Sequence, residues 1–395
     1  MGPPALAEKA SLAQAAGGDD TLPEAVGGPN EGRGRRRQSF RSAVTPGTGR
    51  ERAMIRRAFL AAGAVVSTLL CITTPATAGA TLDAVRARGE LVCGINTGFV
   101  GFSIPDERGE WRGLDADFCR GLAAALFGDA GKVRFVPLTP STRFTALTSG
   151  EVDVLFRNST ETMLRDVTLG LRAITPYFYD GHTFMVHADS GIEKAVELDS
   201  ATICLLQGTT NEQVTADFFR RNNLSFTPVV FERSEQARDA LKSGRCDSFG
   251  SDSGNLAAVR LSMETPGEWK ILDERFSKEP YGPFVRRGDD EWYDVVRWYV
   301  NALFQAEESG ITSQNVDEIR STTKDADIRR LLGVTPELGE ALGLDPSWVV
   351  NAVKAVGNYG EMFDRYLGPN SPLGMSRGLN EQWTRGGLIY ALPMR

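Results

Sequence analysis

A short unit appears twice in this chain and constrains its fold more than any other feature. Ala146-Leu147-Thr148-Ser149-Gly150-Glu151-Val152-Asp153 matches Ala240-Leu241-Lys242-Ser243-Gly244-Arg245-Cys246-Asp247 at A-L-x-S-G-x-x-D. Five positions after each aspartate stands a polar residue, Asn158 in the first copy and Asp252 in the second. The glycine stops a helix, because only glycine takes the left-handed turn without penalty. The apolar residues that follow then read as a strand. Around the first copy the runs ELVCGI, VRFVPL and VDVLF alternate with the helical segments DADFCRGLAAALFGD and STRFTALTSG. Around the second, ATICLLQ, FTPVVF and CDSFGSD alternate with TNEQVTADFFRRNN and SEQARDALKSG. Such alternation predicts an α/β protein of two similar lobes, each a parallel sheet covered by helices.

Open α/β sheets bind ligands at the carboxyl ends of their strands. In the first half the apolar run VDVLF ends in RNSTETMLRD, a cluster of hydrogen-bonding side chains. Two lobes facing each other would make a cleft. One wall would carry Asn158, Ser159, Thr160, Thr162 and Arg165, and the other Gly208, Thr209, Thr210 and Asp252. Arg165 suits a carboxylate, which a guanidinium grips through two parallel hydrogen bonds. The backbone N–H groups at Thr209 and Thr210, opening a helix, form a second anion site. Asp252 is the acceptor for an ammonium. A carboxylate site beside an ammonium site fits an α-amino acid. Each residue also has a plainer role: an ion pair with Asp166 or Glu161 for Arg165, a helix N-cap for Asp252, and strand capping for Asp153 and Asp247. The segment EWYDVVRWYVNALF follows a helical period and is expected in the core.

Residues 1–78 are set apart from the fold. The first fifty or so are poor in large apolar residues. MIRRAFLAAGAVVSTLLCITTPATAGA then has Arg56 and Arg57, an apolar core from Ala58 to Ile72 and the small-x-small site Ala76-Thr77-Ala78. This predicts an exported, periplasmic protein whose signal peptide is cleaved after Ala78. Met54 stands where such a peptide would begin, so residues 1–53 are expected to be an over-extended start. The paired arginines also resemble a twin-arginine signal. The leader carries ten Lys/Arg against six Asp/Glu, so the whole-chain charge of −7 becomes −11 for the remainder. That acidic balance argues against nucleic-acid binding. Four cysteines remain, with no CxxC and only two histidines in the chain, so no metal site is expected. Their spacing suggests the local disulfides Cys93–Cys119 and Cys204–Cys246, each stabilising by about 3–4 kcal/mol.

Several motifs together carry a family resemblance over residues 80–395. Gly113-Leu114-Asp115-Ala116-Asp117-Phe118, Gln207-Gly208-Thr209-Thr210 and Lys278-Glu279-Pro280-Tyr281-Gly282 resemble motifs of the periplasmic amino-acid-binding proteins of ABC importers. The ending SRGLNEQWTRGGLIYALP is similar to the extended tail of their general L-amino-acid-binding branch. The resemblance implies the type II periplasmic binding protein fold, two Rossmann-like lobes joined by a two-strand hinge. Lobe 1 would comprise residues 79–185 and 280–395, with the C-terminal extension, and lobe 2 residues 186–279. The crossings are expected near Phe184–His187 and Lys278–Phe284. The resemblance further implies Arg165, with Thr210 and Thr209, for the ligand carboxylate. Thr160 and Asn158 would hold the ligand backbone and Asp252 its ammonium, and either Phe99 or Phe102 would face its side chain.

The implied partners are an L-amino acid and a membrane-embedded ABC permease, with the protein a monomer that needs neither cofactor nor metal and catalyses no reaction. The competing expectation is a dehydratase of the same fold acting on prephenate- or arogenate-like acids. That chemistry needs a general acid in the cleft, and Glu161 is the extra carboxylate available for it.

Overall fold

A computed structural model describes residues 79–395. The leader, the signal peptide with its cleavage point after Ala78, and the choice between Met1 and Met54 lie outside the described residues. The strands in chain order are β1 (Leu91–Asn96), β2 (Ile104–Pro105), β3 (Trp111–Arg112), β4 (Val133–Leu138), β5 (Val154–Leu155), β6 (Leu171–Ala173) and β7 (Phe178–Asp180). There follow β8 (His182–His187), β9 (Ala201–Leu206), β10 (Phe226–Phe231), β11 (Ser248–Asp252), β12 (Trp269–Ile271), β13 (Glu279–Tyr281) and β14 (Phe284–Arg286). One five-stranded sheet has the order β4-β1-β5-β14-β6 and another β10-β9-β11-β8-β12, while β7 and β13 pair with each other and β13 also bridges to Thr160 through Tyr281.

The sheets are mixed, not wholly parallel as the alternation predicted. In each, three strands are parallel: β4, β1 and β5 in the first, β10, β9 and β11 in the second. The next strand, β14 or β8, runs antiparallel. The reason lies in the connections. Both strands follow directly on the β7–β13 pair, so each enters its sheet from the end where the parallel strands finish. The second sheet also begins earlier than the expected crossing, since Phe184–His187 already lies within β8.

The doubled unit folds the same way twice. Gly150 (φ 80°) and Gly244 (φ 72°) both take the left-handed conformation after their helices. Asp153 Oδ2 then accepts from Val92 N at 2.7 Å, and Asp247 Oδ2 accepts from Thr202 N at 2.7 Å. Each aspartate thus ties the start of its strand to the parallel strand beside it, β1 or β9. Cys93 in β1 bonds Cys119 on the helix Leu114–Phe127, and Cys204 in β9 bonds Cys246.

The long helix Asp290–Glu308 buries Trp292, Val296, Tyr299 and Leu303 in the first lobe's core. The C-terminal helices Trp348–Val356 and Tyr359–Tyr366 join the same core. Asp117 anchors them by accepting from Arg365 Nη1 at 2.7 Å and Tyr366 Oη at 2.9 Å. The tail reaches β7, where Tyr179 N donates to Asn380 Oδ1 at 2.6 Å and Asn380 Nδ2 donates to Tyr179 O at 3.1 Å. Among the described residues no helix is long and apolar enough to cross a membrane.

Candidate functional site

The ends of β1, β5, β9 and β11 converge on one buried polar cavity. Its volume is about 30 Å³, room for one or two waters. Of the residues singled out from sequence, Asn158, Thr160, Arg165, Thr209, Thr210 and Asp252 all line it. Asn158 and Thr160 follow β5. Asn158 is fixed by Asn96 Nδ2, which donates to its Oδ1 at 2.9 Å. Arg165 stands on the short helix Met163–Thr168, whose N-cap hydroxyl, Thr162 Oγ1, accepts from Arg165 N. Its Nη1 donates to Thr160 O at 2.8 Å and its guanidinium lies 5.1 Å from the Phe144 ring centroid.

Phe99 and Phe102 do not line this cavity. They stack on each other with ring centroids 4.3 Å apart, and Phe102 meets Phe178 edge-on at 5.1 Å. Both rings belong to the first lobe's core, which is where aromatic side chains next to a strand gain most from burial. Glu161 is exposed and also lies outside the lining.

Two arginines join the site that the sequence did not single out. Arg143 and Arg157 are almost wholly buried and line the cavity beside Arg165. Arg157 is held by Leu138 O, to which its Nε donates at 2.9 Å. Burial lowers the pKa of all three, Arg143 strongly and Arg157 to about 10, and their mutual repulsion adds to the shift of Arg143 and Arg157. A cluster of three poorly solvated guanidiniums is a strong site for an anion.

Opposite them sits Asp252, 6% exposed. It occupies the N-cap position of the helix Ser253–Leu261, yet its side chain makes no capping bond. Asp180 performs that work instead, its Oδ2 accepting from Gly254 N at 2.8 Å. Asp252 Oδ2 accepts from Tyr281 Oη at 2.6 Å. Burial, with the nearby Glu279 and Asp180 carboxylates, pushes the Asp252 carboxyl well above the usual range. Two buried atoms of the cavity, Asp252 Oδ1 and Arg143 Nε, have no hydrogen-bond partner among the described residues. Unpartnered buried polar atoms are rare in native structures.

The two lobes touch across the cavity mouth. Arg143 Nη2 donates to Gly208 O at 3.3 Å, and Arg165 Nη2 donates to the same oxygen at 3.4 Å. Gly208 has φ 76°, and a Cβ there would lie 3.1 Å from Pro140 O. Glu279, on β13, accepts from Thr160 Oγ1 at 2.5 Å and Thr210 Oγ1 at 2.8 Å, so one carboxylate oxygen holds a hydroxyl from each lobe. Asp115 supports the first wall from behind. It accepts from Asn158 N at 3.3 Å and from Tyr177 Oη at 2.6 Å, and burial raises its pKa to about 6.

Two α/β lobes whose strand ends meet over a buried charged cavity, with two short strands between them, define a clamshell receptor for a small polar solute. The chain belongs to the bacterial extracellular solute-binding proteins, family 3, whose model matches residues 91–315. It is 47% identical over 327 residues to the glutamate/glutamine/aspartate/asparagine-binding protein BztA of Rhodobacter capsulatus, covering 83% of this chain and 97% of the relative. It is 46% identical over 338 residues to the general L-amino acid-binding periplasmic protein AapJ of Rhizobium johnstonii, covering 85% and 99%. A solved structure of an ABC transporter periplasmic binding protein from Brucella ovis, with glutathione bound, superposes with a TM-score of 0.78 at 51% identity. That match covers 80% of this chain and 99% of the other. These relatives are solute-binding proteins of transport systems, which favours the receptor over the dehydratase.

Proposed function

We propose that the chain is the periplasmic receptor of an amino-acid ABC importer, recognising the α-carboxylate and α-ammonium of L-amino acids between its lobes. Arg165 and Arg143, with the helix start at Thr209 and Thr210, receive the carboxylate. Asp252 receives the ammonium, aided by Thr160 and Asn158. The observation that carries this reading is the pair of unpartnered buried atoms, Asp252 Oδ1 and Arg143 Nε, in one cavity. An anion would satisfy the arginine and an ammonium the aspartate, and the α-amino acid head group supplies both.

The β7–β13 pair is the hinge, placing lobe 1 at residues 79–181 and 282–395. Closure brings Gly208 against Pro140, and a ligand bonded to both walls favours that closed form by its differential affinity. The closed protein then docks on a membrane permease, acting as a monomer without cofactor or nucleic acid, after cleavage of its signal peptide.

A second ligand class shares the same head group. A γ-glutamyl peptide such as glutathione keeps a free α-carboxylate and α-ammonium on its glutamyl residue, and the Brucella ovis relative supports this reading. The test is calorimetry on protein unfolded and refolded to shed carried-over ligand, titrated with the common L-amino acids and with glutathione. Binding of several of these supports the proposal, and a folded protein that binds none of them rejects it.

A further inference from the structure

A second cavity opens directly beside the first and shares Gly98, Ser234, Glu235 and Asn255 with it. Its volume is about 180 Å³ against about 30 Å³. At that size the small cavity cannot also hold the tail of a longer ligand, which must leave it across the shared rim. Past that rim the walls are apolar: Phe99, Val100 and Ile104 from the first lobe face Ala258 and Val259 from the second. Arg238 and Ser262 also line it: Arg238 Nε and Nη2 lie 2.9 Å from Asp239 Oδ1, and its Nη1 donates to Ser262 Oγ at 3.3 Å.

We infer that the second cavity is the distal half of the ligand site and takes the tail of a γ-glutamyl peptide, an inference that rests on the head-group reading above. The rim chemistry selects the linkage. Glu235 repels a free γ-carboxylate but accepts the N–H of a γ-amide. A Cβ on Gly98 would stand 3.2 Å from Glu235 Oε1, so a side chain at that position would narrow the passage. The apolar walls suit a thiol or aliphatic group, and the Nη1 edge of Arg238, which Asp239 leaves uncovered, suits a terminal carboxylate. Because both lobes line this cavity, a tail lodged there adds to the free energy of closure. Phe99 thereby gains a role at the ligand's distal end, whereas Phe102 stays in the core.

The experiment compares glutathione with L-glutamine and L-glutamate, by calorimetry on the refolded protein and on two variants. Glutamine is the same head group without the peptide tail, and glutamate carries the free γ-carboxylate. Glutathione is expected to bind at least as tightly as glutamine, and glutamate more weakly than either. Ser262→Trp, which places a large ring at an exposed edge of the second cavity, and Arg238→Ala are each expected to lower the ratio of glutathione to glutamine affinity tenfold or more. Thermal melting of both variants verifies that they fold. An unchanged ratio in both, or a parent that binds glutamine without glutathione, overturns the distal subsite. A folded parent that binds neither rejects the head-group reading itself. Binding of glutathione alone supports the subsite, and the variants are then read on glutathione affinity.

Discussion

Replacing Asp252 with asparagine is expected to move stability and affinity in opposite directions. The Asp252 carboxylate is buried, close to Glu279 and Asp180, and one of its oxygens has no partner among the described residues. Asparagine keeps a carbonyl oxygen for the Tyr281 hydroxyl and removes the charge. Relieving a buried carboxylate of this kind is worth about 1–3 kcal/mol to the unliganded protein. The melting temperature should therefore rise by about 1–2 °C per kcal/mol gained. Ligand binding should suffer. Truncating one partner of a buried charge pair costs about 2–4 kcal/mol, so the dissociation constant of an amino acid should rise by about 30- to 1,000-fold. Melting curves and calorimetric titrations make both measurements. A variant that melts lower than the parent, or that loses less than fivefold in affinity, would refute the assignment of Asp252 as an uncompensated ammonium acceptor.

Three further perturbations separate the site from the scaffold. Arg165→Ala should weaken every L-amino acid by about 100-fold or more, because a charge-assisted anchor worth about 3 kcal/mol is lost; titration of several ligands checks this, and loss for only one of them contradicts it. His182 is buried between Asn211 and Thr215, and burial lowers its pKa to about 4. Because the unfolded chain binds the extra proton below about pH 6.5, this histidine's share of stability is whole above that pH and falls progressively towards pH 4, by about 3 kcal/mol in all. Melting temperatures between pH 4 and 7 should therefore show a steeper slope in the parent than in His182→Gln, and equal slopes would contradict the assignment. Asp153→Ala should destabilise by about 1–3 kcal/mol by leaving Val92 N unsatisfied, yet leave amino-acid affinity within about twofold. A large change in affinity would show that the repeat's aspartate does more than tie strands.

The doubled A-L-x-S-G-x-x-D unit was legible because it recurs and because its helix-stopping glycine acts locally. The partners of its aspartates lie 61 and 45 residues away, and the repeat alone marked those aspartates as strand-capping residues. The polar strand ends were legible for the same reason, and so were the disulfide spacings. The antiparallel strands were not, because β14 is three residues long and carries no period, and β8 is a buried run whose sequence does not state its direction. The cavity residues Arg143 and Arg157 were missed because an isolated arginine gives no sign of its burial. Arg143 sits in a segment that reads only as a helix start, and Arg157 begins the polar run RNSTETMLRD. Glu279 and Tyr281 act on Thr160 and Asp252 from far along the chain. The capping exchange between Asp252 and Asp180 could not be read either, since Asp252 stands in a correct N-cap position and only tertiary structure brings Asp180 to the helix. Phe99 and Phe102 were indistinguishable in sequence, and the structure separates them by what each ring touches.

The central claim is that the cavity reads both ends of an α-amino acid head group at once. It is tested most directly by titrating the refolded protein with its tightest amino acid and two analogues, one lacking the α-amino group and one lacking the α-carboxylate. The account predicts that each analogue binds at least 100-fold more weakly than the parent amino acid. An analogue that binds within threefold of it would contradict the account.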